Sequence, residues 1–541
     1  MKNYSDHFNP NQTPQTEPIP GKIMEPNNSG GYGFKISKEK QLERFLILGT
    51  QGGTYYVTEQ KLTVDNATSV IECIKEDGIK TVNKIVEISD KGRAPKNSPA
   101  LFALALCTSP DFADVETRRA AFKALPKVAR ISTHLFEFVQ YMQNCRGWGK
   151  LAKTGVQSWY NDKDPSQLEY QMVKYRNRHG FTHSDVLRLA KPVPLTDMHD
   201  QLYGFAKEGV VGNNHSFKLI EGYKRISEVA TAAEAAKLVS EYRLPMEAVP
   251  TDFKNKAVVW EALLDHLPIT ATIRNLRNMA KADFMVPFSD ASKIVADRIS
   301  DPDIIKKGRV HPVQFLNALM NFPVGCPRTE PNDWEQPSVK DNTWKVDKDV
   351  VEALNVGFFQ SFQNVKPSGK RVMLALDVSS SMHWYWCMGM KGITPREASA
   401  ALALVTVNVE PNHFIGVFMD KFRQFTDIKA GMSIDDAIKA VSNLRFGSTN
   451  ISSPIVWAME NNLTVDCISC YTDNETHWHG IGHPSQVLKT YRNKTGVNTK
   501  FISVSMEANT TTVADPTDSD MLDIVGFDTA TPKVISEFME M

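Results

Sequence analysis

Two groups of residues in this 541-residue sequence have types and spacings that could do chemistry. The first is oxygen-rich. Asp377-Val378-Ser379-Ser380-Ser381 follows the apolar run Val372-Met373-Leu374-Ala375-Leu376, and alternation in an extended loop puts Asp377, Ser379 and Ser381 on one side. A carboxylate with two hydroxyls suits a hard divalent cation, Mg2+ or Mn2+, and not a thiolate-preferring metal. Further donors stand downstream at Thr449, within Phe446-Gly447-Ser448-Thr449-Asn450, and at Asp473, at the end of another apolar run. An isolated Asp-x-Ser-x-Ser turn is ordinarily a helix cap. Its place after a buried strand, with Thr449 and Asp473 to follow, favours a cation loop. No convincing nucleophile or general base stands beside these residues, so hydrolysis is not expected.

The second group is basic. Lys174, Arg176, Arg178 and Arg188 surround His183, with Gly180 read as the stop of one helix and Thr182 and Asp185 as the capping pair of the next. His183 would then lie in a first helical turn, near backbone N–H groups that attract phosphate. Farther on, Arg274, Arg277 and Lys281 repeat one residue out of phase with the apolar stripe Ile273, Leu276 and Ala280. Taken alone, each segment is more often solvated surface than a binding site. On the concave side of a curved helical stack the second would hold single-stranded phosphates.

The elements that must position these groups fall into three stretches. Residues 1–34 are polar and rich in Pro and Gly, a flexible tail or an arm laid over the surface. Residues 35–365 read as helix after helix, at 99–108, 114–125, 130–144, 165–178, 184–191, 232–243, 254–266, 269–282, 286–299 and 311–320, an α-solenoid of HEAT-like character. Residues 367–541 alternate: strands at 371–377, 413–420, 464–473, 500–506 and 521–527, helices at 394–409, 433–444, 453–462, 484–495 and 531–540. Continuous apolar strands between amphipathic helices predict a doubly wound parallel sheet whose ligands gather at the carboxyl ends of its strands, where Asp377 and Asp473 fall.

Composition agrees with a multidomain globular chain, at 42% hydrophobic and 23% charged residues. The net charge of zero conceals an asymmetry. Of 62 basic and 62 acidic residues, 14 and 19 lie in 367–541, so the part upstream carries a positive surplus of five. Seven scattered cysteines, at 73, 107, 145, 326, 387, 467 and 470, form a reduced, intracellular pattern, with Cys467 and Cys470 read as buried strand residues. No stretch approaches the length of a membrane span, and a cytoplasmic location is expected.

The series Asp377-x-Ser379-x-Ser381, Thr449, Asp473 resembles the metal-ion-dependent adhesion site of von Willebrand factor A domains. That resemblance implies Ser379 and Ser381 as direct ligands, with Asp377, Thr449 and Asp473 direct or through water, and an open position for an acidic protein ligand. The motifs ERFLILGTQGGTYYVTEQKL (43–62), CRGWGK (145–150), SWYN (158–161), HGFTHSDVLRLAKP (179–192), LPITATIRNLRNM (267–279) and GFDT (526–529) resemble those of the Ro (SS-A) ribonucleoprotein autoantigen family over about residues 35–541. At 179–183 the run His-Gly-Phe-Thr-His departs from an Asn-Gly-Trp-Ser-His pattern but keeps its last histidine. This likeness implies a TROVE module of HEAT-like repeats closed into a ring by the A domain. It further implies Y-like noncoding RNA on an outer basic surface, single-stranded 3′ ends of misfolded RNA in a central cavity, a role in RNA quality control and stress survival, and a 3′-exoribonuclease partner. Lys174, Arg176, Arg178, His183 and Arg188 become candidate contacts for structured RNA, and Arg274, Arg277 and Lys281 candidates for the cavity. The main rival is a noncatalytic scaffold gripping polypeptides through the solenoid and the A-domain cation. A Mg2+-dependent phosphoesterase is the weaker third.

Overall fold

The computed structural model describes residues 12–27, 29–49, 62–64, 67–94, 96–210, 212, 217–325, 343–363, 367–383, 393–444, 447–477, 482–506, 511–525 and 531–540. Motif residues 50–61 and 526–529, together with Cys326 and Cys387, lie outside them.

Helices are built where an apolar stripe recurs every three to four residues behind a capping side chain. Asp114 accepts from the Thr117 N–H ahead of Val115–Val128, and Asp164 accepts from the Ser166 and Gln167 N–H groups ahead of Pro165–Lys174. Packing follows a repeat. Thr68–Asp90 touches Lys38–Leu48 and Val115–Val128, Val115–Val128 touches Lys150–Asn161, and Lys150–Asn161 touches His183–Ala190, so each helix meets the next but one. Farther on, the contacts run between successive helices, Lys218–Ile226 with Ala232–Tyr242 and Ala232–Tyr242 with Ala257–Leu264, and Asp290–Ser300 packs against Lys348–Gln360. The two ends of this solenoid meet, with the Arg309 guanidinium 3.3 Å from the Asp90 carboxylate. The helical layer is thereby a ring.

Strands of the C-terminal part carry β-branched and aromatic residues buried on both faces. In chain order the strands of the molecule are β1 (Met24–Pro26), β2 (Tyr32–Lys35), β3 (Asn177–Arg178), β4 (Phe181–Thr182), β5 (Val372–Asp377), β6 (His413–Phe418), β7 (Phe422–Gln424), β8 (Cys467–Thr472), β9 (Lys500–Ser505), β10 (Thr511–Thr512) and β11 (Met521–Val525). The main sheet has the order β11-β9-β8-β5-β6-β7, parallel except for the edge strand β7. Central β5 is flanked by β8 and β6, so the chain leaves it toward opposite edges, and the ends of β5 and β8 form the switch point.

The A domain spans the ring's two ends. Arg44, on helix Lys38–Leu48, is fully buried and paired in bidentate fashion with Asp523 of β11 at 2.7 and 2.9 Å. At the other end the Ile434 N–H donates to Asn355 Oδ1 at 3.1 Å.

Two sequence expectations change. The flexible-tail reading of 1–34 gives way, over its described part, to an ordered arm: β1 and β2 pair with each other and then with β10, and Gln15 is fully buried. Polar composition suggested mobility, but the arm's polar groups find partners on another domain. The helix expected at 165–178 stops at Lys174 and is followed by the hairpin β3–β4. His179 (φ 52°) and Gly180 (φ 77°) form its two-residue turn with both residues left-handed, so Gly180 belongs to a hairpin and not to a helix stop. The strands β7 and β10 were not legible beforehand.

Candidate metal centre and nucleic-acid interface

The cation loop is assembled at the carboxyl ends of β5 and β8. Asp377 (0% exposed), Ser379, Ser381 and Asp473 are all buried. The Ser379 N–H donates to Asp377 Oδ1 at 2.9 Å, Thr472 Oγ1 donates to Asp377 Oδ2 at 2.7 Å, and the Ser379 and Ser381 hydroxyls lie 3.1 Å apart. Ser381 also bonds Asp473. The predicted Asp, Ser, Ser and Asp, drawn from two separate strand ends, therefore stand in one hydrogen-bonded network. Thr449 is buried in the neighbouring loop, whose Asn450 N–H donates to Met419 O at 2.8 Å just beyond β6.

Two buried carboxylates this close oppose each other. Burial first, then Asp473, pushes the Asp377 carboxyl up to about 7, and burial also raises Asp473. One partial compensation was missed by sequence reading. Arg396 is fully buried in helix Pro395–Val409, its guanidinium donating to the carbonyls of Val441 at 2.6 Å and Leu444 at 2.9 Å. Burial pushes its pKa down to about 10 while Asp377 pulls it back up. No motif marks such a residue, because Arg396 and Asp377 meet only in the fold. Carboxylate and hydroxyl oxygens with an excess of buried negative charge fit a hard cation. Cys467 and Cys470 are free, buried β8 residues, as expected.

The basic group is divided by the structure. Arg176, Arg178 and Arg188 are exposed, with Arg178 on β3 and Arg188 in the last turn of His183–Ala190. Arg176 lies 4.5 Å from the ring centroid of Tyr223 and bonds its hydroxyl. Lys174 is half-buried between the rings of Tyr170 and Tyr175, bonded to Tyr170 Oη at 3.0 Å. Lys254 lies close enough for Arg176 to help depress its pKa, after burial. Neither Tyr223 nor Lys254 was identifiable by spacing, since stacking of successive helices supplies the proximity.

His183 is corrected. The capping box of Thr182 and Asp185 forms as predicted, but the imidazole is 4% exposed, packed edge-on to Phe136, with Nδ1 3.0 Å from Tyr160 Oη. It points into the core against Phe136 and Tyr160, so it is no direct phosphate contact. Burial pushes its pKa down to about 3, against nearby carbonyls of Gln171 and Tyr175. Burial likewise pushes His134 and His311 down to about 4. Each stays neutral in the native state while the unfolded imidazole protonates near pH 6.5. Stability from these groups is complete above that pH and declines as pH falls toward 4, by up to ~1.4 kcal/mol per pH unit for each histidine. Thermal unfolding should therefore worsen steeply between pH 6.5 and 5, and His183→Gln should make the slope shallower. A melting temperature constant over that interval would refute it.

In helix Ile269–Lys281, Arg274, Arg277 and Lys281 are exposed on one face while Ile273, Leu276 and Ala280 are buried. Arg277 and Lys281 approach the same indole, that of Trp344, at 5.6 and 5.9 Å from the ring centroid.

With this architecture described, likeness to known proteins decides the family. Residues 25–322 match the TROVE domain model and residues 371–539 match the Ro60 vWA domain model. The chain belongs to the Ro60 family. Among Ro60 relatives, the RNA-binding protein RO60 of Deinococcus radiodurans is 37% identical over 99% of both chains. The RNA-binding protein RO60 of Caenorhabditis elegans is 30% identical over 95% of this chain and 89% of that protein. The crystal structure of the Deinococcus radiodurans RO (RSR) protein superposes with a TM-score of 0.71 at 36% identity, covering 93% of this chain and 99% of that one. A Ro60 fold thus accounts for both halves, the helical ring and the A domain that spans its ends.

Proposed function

We propose that this chain is a noncatalytic RNA-binding protein of a small ribonucleoprotein. The observation that carries the reading is the exposed set Arg176, against Tyr223, Arg178, on the hairpin, and Arg188, at a helix end, in a chain whose family relatives are named as RNA-binding proteins. Guanidinium groups on a firm base match phosphate oxygens bidentately and stack on exposed bases. In this reading the hairpin surface takes a structured Y-like RNA, and the stripe Arg274, Arg277 and Lys281 takes single-stranded 3′ ends of misfolded RNA in the ring's opening. The proposed roles, which the family resemblance implies, are RNA quality control, stress survival and delivery of RNA to a 3′-exoribonuclease.

The A-domain loop is proposed to hold Mg2+, or another divalent cation such as Mn2+, through Ser379 and Ser381 directly and Asp377, Thr449 and Asp473 directly or through water. Its support is the chemistry of the donor set: buried oxygens and two opposed carboxylates that a cation would neutralise. The bound ion would supply an electrophilic position for an acidic protein ligand.

The test is RNA that co-purifies with the protein, sequenced and then titrated back. One abundant small RNA should be recovered, and its affinity should fall steeply with salt. Replacing Arg176, Arg178 and Arg188 by Ala together should lower affinity at least ~10-fold and reduce the log–log salt slope by ~0.9 for each phosphate that is no longer neutralised. Unchanged affinity and slope would remove this surface, and absence of any enriched RNA would leave the polypeptide scaffold as the better reading.

A further inference from the structure

The arm lies across the two halves of the architecture, and its hydrogen bonds converge on the loops of the cation site. Gln15 is fully buried, and its carboxamide is used at both ends. Nε2 donates to Asn450 Oδ1 at 3.0 Å, Ser452 Oγ at 3.1 Å and Gly482 O at 3.3 Å, and Oε1 accepts from Thr476 Oγ1. Asn450 is the immediate neighbour of Thr449, and Thr476 is three residues beyond Asp473.

A second stretch of the arm grips the same loop. Asn27 Nδ2 donates to Thr476 O at 2.7 Å, and the Ser29 N–H donates to Glu475 Oε2 at 3.1 Å. The Glu475 N–H in turn donates to Asp473 Oδ1 at 3.0 Å. Approach is so close at Gly31 that a Cβ there would stand 1.8 Å from Thr476 O, which only glycine avoids. The arm closes on itself through Tyr32 N–H to Gln15 O at 2.9 Å, so the two gripping stretches act as one unit.

We propose that the arm is a clamp for the cation site, with Gln15 as its principal positioning residue. Gln15 touches no cation-facing oxygen. It reinforces the tie between the Thr449 loop and the Asp473 loop, which otherwise meet through the Ile451 N–H to Thr476 Oγ1 at 3.5 Å and Ser452 Oγ to Gly482 O at 2.8 Å, so that their side chains are held to face one ion. The inference rests on the proposed cation site and adds to it a coupling. β2 leads directly into helix Lys38–Leu48, which carries Arg44. The arm therefore links occupation of the cation loop to the junction between the A domain and the start of the ring. Because linkage is reciprocal, a clamp that tightens cation binding must itself be tightened by the cation, by the same factor.

The experiment uses the full chain as wild type, Gln15→Ala and Asp377→Asn. Binding of Mn2+ is measured by electron paramagnetic resonance, competition by Mg2+ is followed in the same samples, and amide hydrogen exchange is recorded over residues 12–35 with and without Mg2+. Gln15→Ala should weaken Mn2+ binding at least ~10-fold, the size typical of removing groups that orient metal ligands. In wild type Mg2+ should slow exchange of the arm, and in Asp377→Asn it should not. If wild type binds no Mn2+, the cation reading itself fails. If wild type binds and Gln15→Ala binds equally well, or Mg2+ leaves arm exchange unchanged, the clamp is overturned while the cation reading stands. A lowered melting temperature of Gln15→Ala with unaltered Mn2+ affinity would mark Gln15 as merely structural.

Discussion

Asp523→Ala should destabilise the native state by about 3–5 kcal/mol, the usual consequence of leaving a buried charge without its partner. Arg44 is fully buried on the helix that begins the ring, and its carboxylate partner is only 9% exposed on β11. Thr512 Oγ1 also donates to Asp523 Oδ1 at 2.8 Å, so the substitution removes that hydroxyl's acceptor as well, leaving it only the Ala514 N–H. The loss should appear first as separation of the A domain from the ring's first helix. Hydrogen exchange would then rise in Lys38–Leu48 and the edge strand β11 before the rest of the main sheet opens. Replacing both residues, as Arg44→Met with Asp523→Leu, should recover most of the stability, because an apolar pair of similar volume avoids the desolvation of two charges. If Asp523→Ala melts like wild type, the pair does not fasten the two domains.

Asp377→Asn should raise the melting temperature in the absence of a divalent cation and lose a large part of that advantage in its presence. In chelator at pH 8 the two buried carboxylates repel each other. Burial and Asp473 hold the Asp377 carboxyl above its unfolded value, and such a group lends stability at low pH and loses it as the carboxyl ionises on raising the pH. Asn removes that repulsion and keeps an acceptor for the Ser379 N–H, so the variant should melt above wild type, by roughly 2–4 °C for each kcal/mol recovered. With Mg2+ at ~100 times its dissociation constant, wild type should gain about 2.7 kcal/mol that the variant cannot. The variant's advantage should then shrink by that amount. An advantage of the same size in both conditions would show that no cation binds through Asp377.

What was legible beforehand follows from where the information sits. The stop of apolar periodicity at β5, the Asp-x-Ser-x-Ser loop and the strand-terminal Asp473 are local features. A parallel sheet brings strand ends to one edge whatever the loops between them, so Asp377 and Asp473 had to share that edge, and the pairing of β5 with β8 made them neighbours. The capping box Thr182–Asp185 was equally local, requiring only a three-residue spacing. His183 was misplaced for the opposite reason. Its position in the first helical turn was right, but whether its ring met solvent depended on Phe136 and Tyr160, which lie on two other helices.

The arm repeats that contrast. Pro, Gly, Asn and Gln in residues 12–31 have little apolar surface to bury, and composition by itself suggests a chain left in water. Gln15 is ordered because Asn450, Ser452, Thr476 and Gly482 converge around it from more than 400 residues away. By itself the sequence determined the two domain types, the order of their main elements and the residue types able to hold a cation or a phosphate. Periodicity, capping and strand-end loops are short-range properties, and these are enough for that. Only the tertiary structure decided which cations are exposed, which histidine is core, and that a polar N-terminal arm binds the loops of the cation site. Burial and hydrogen-bond satisfaction are set by partners distant in sequence, and no spacing along the chain encodes them.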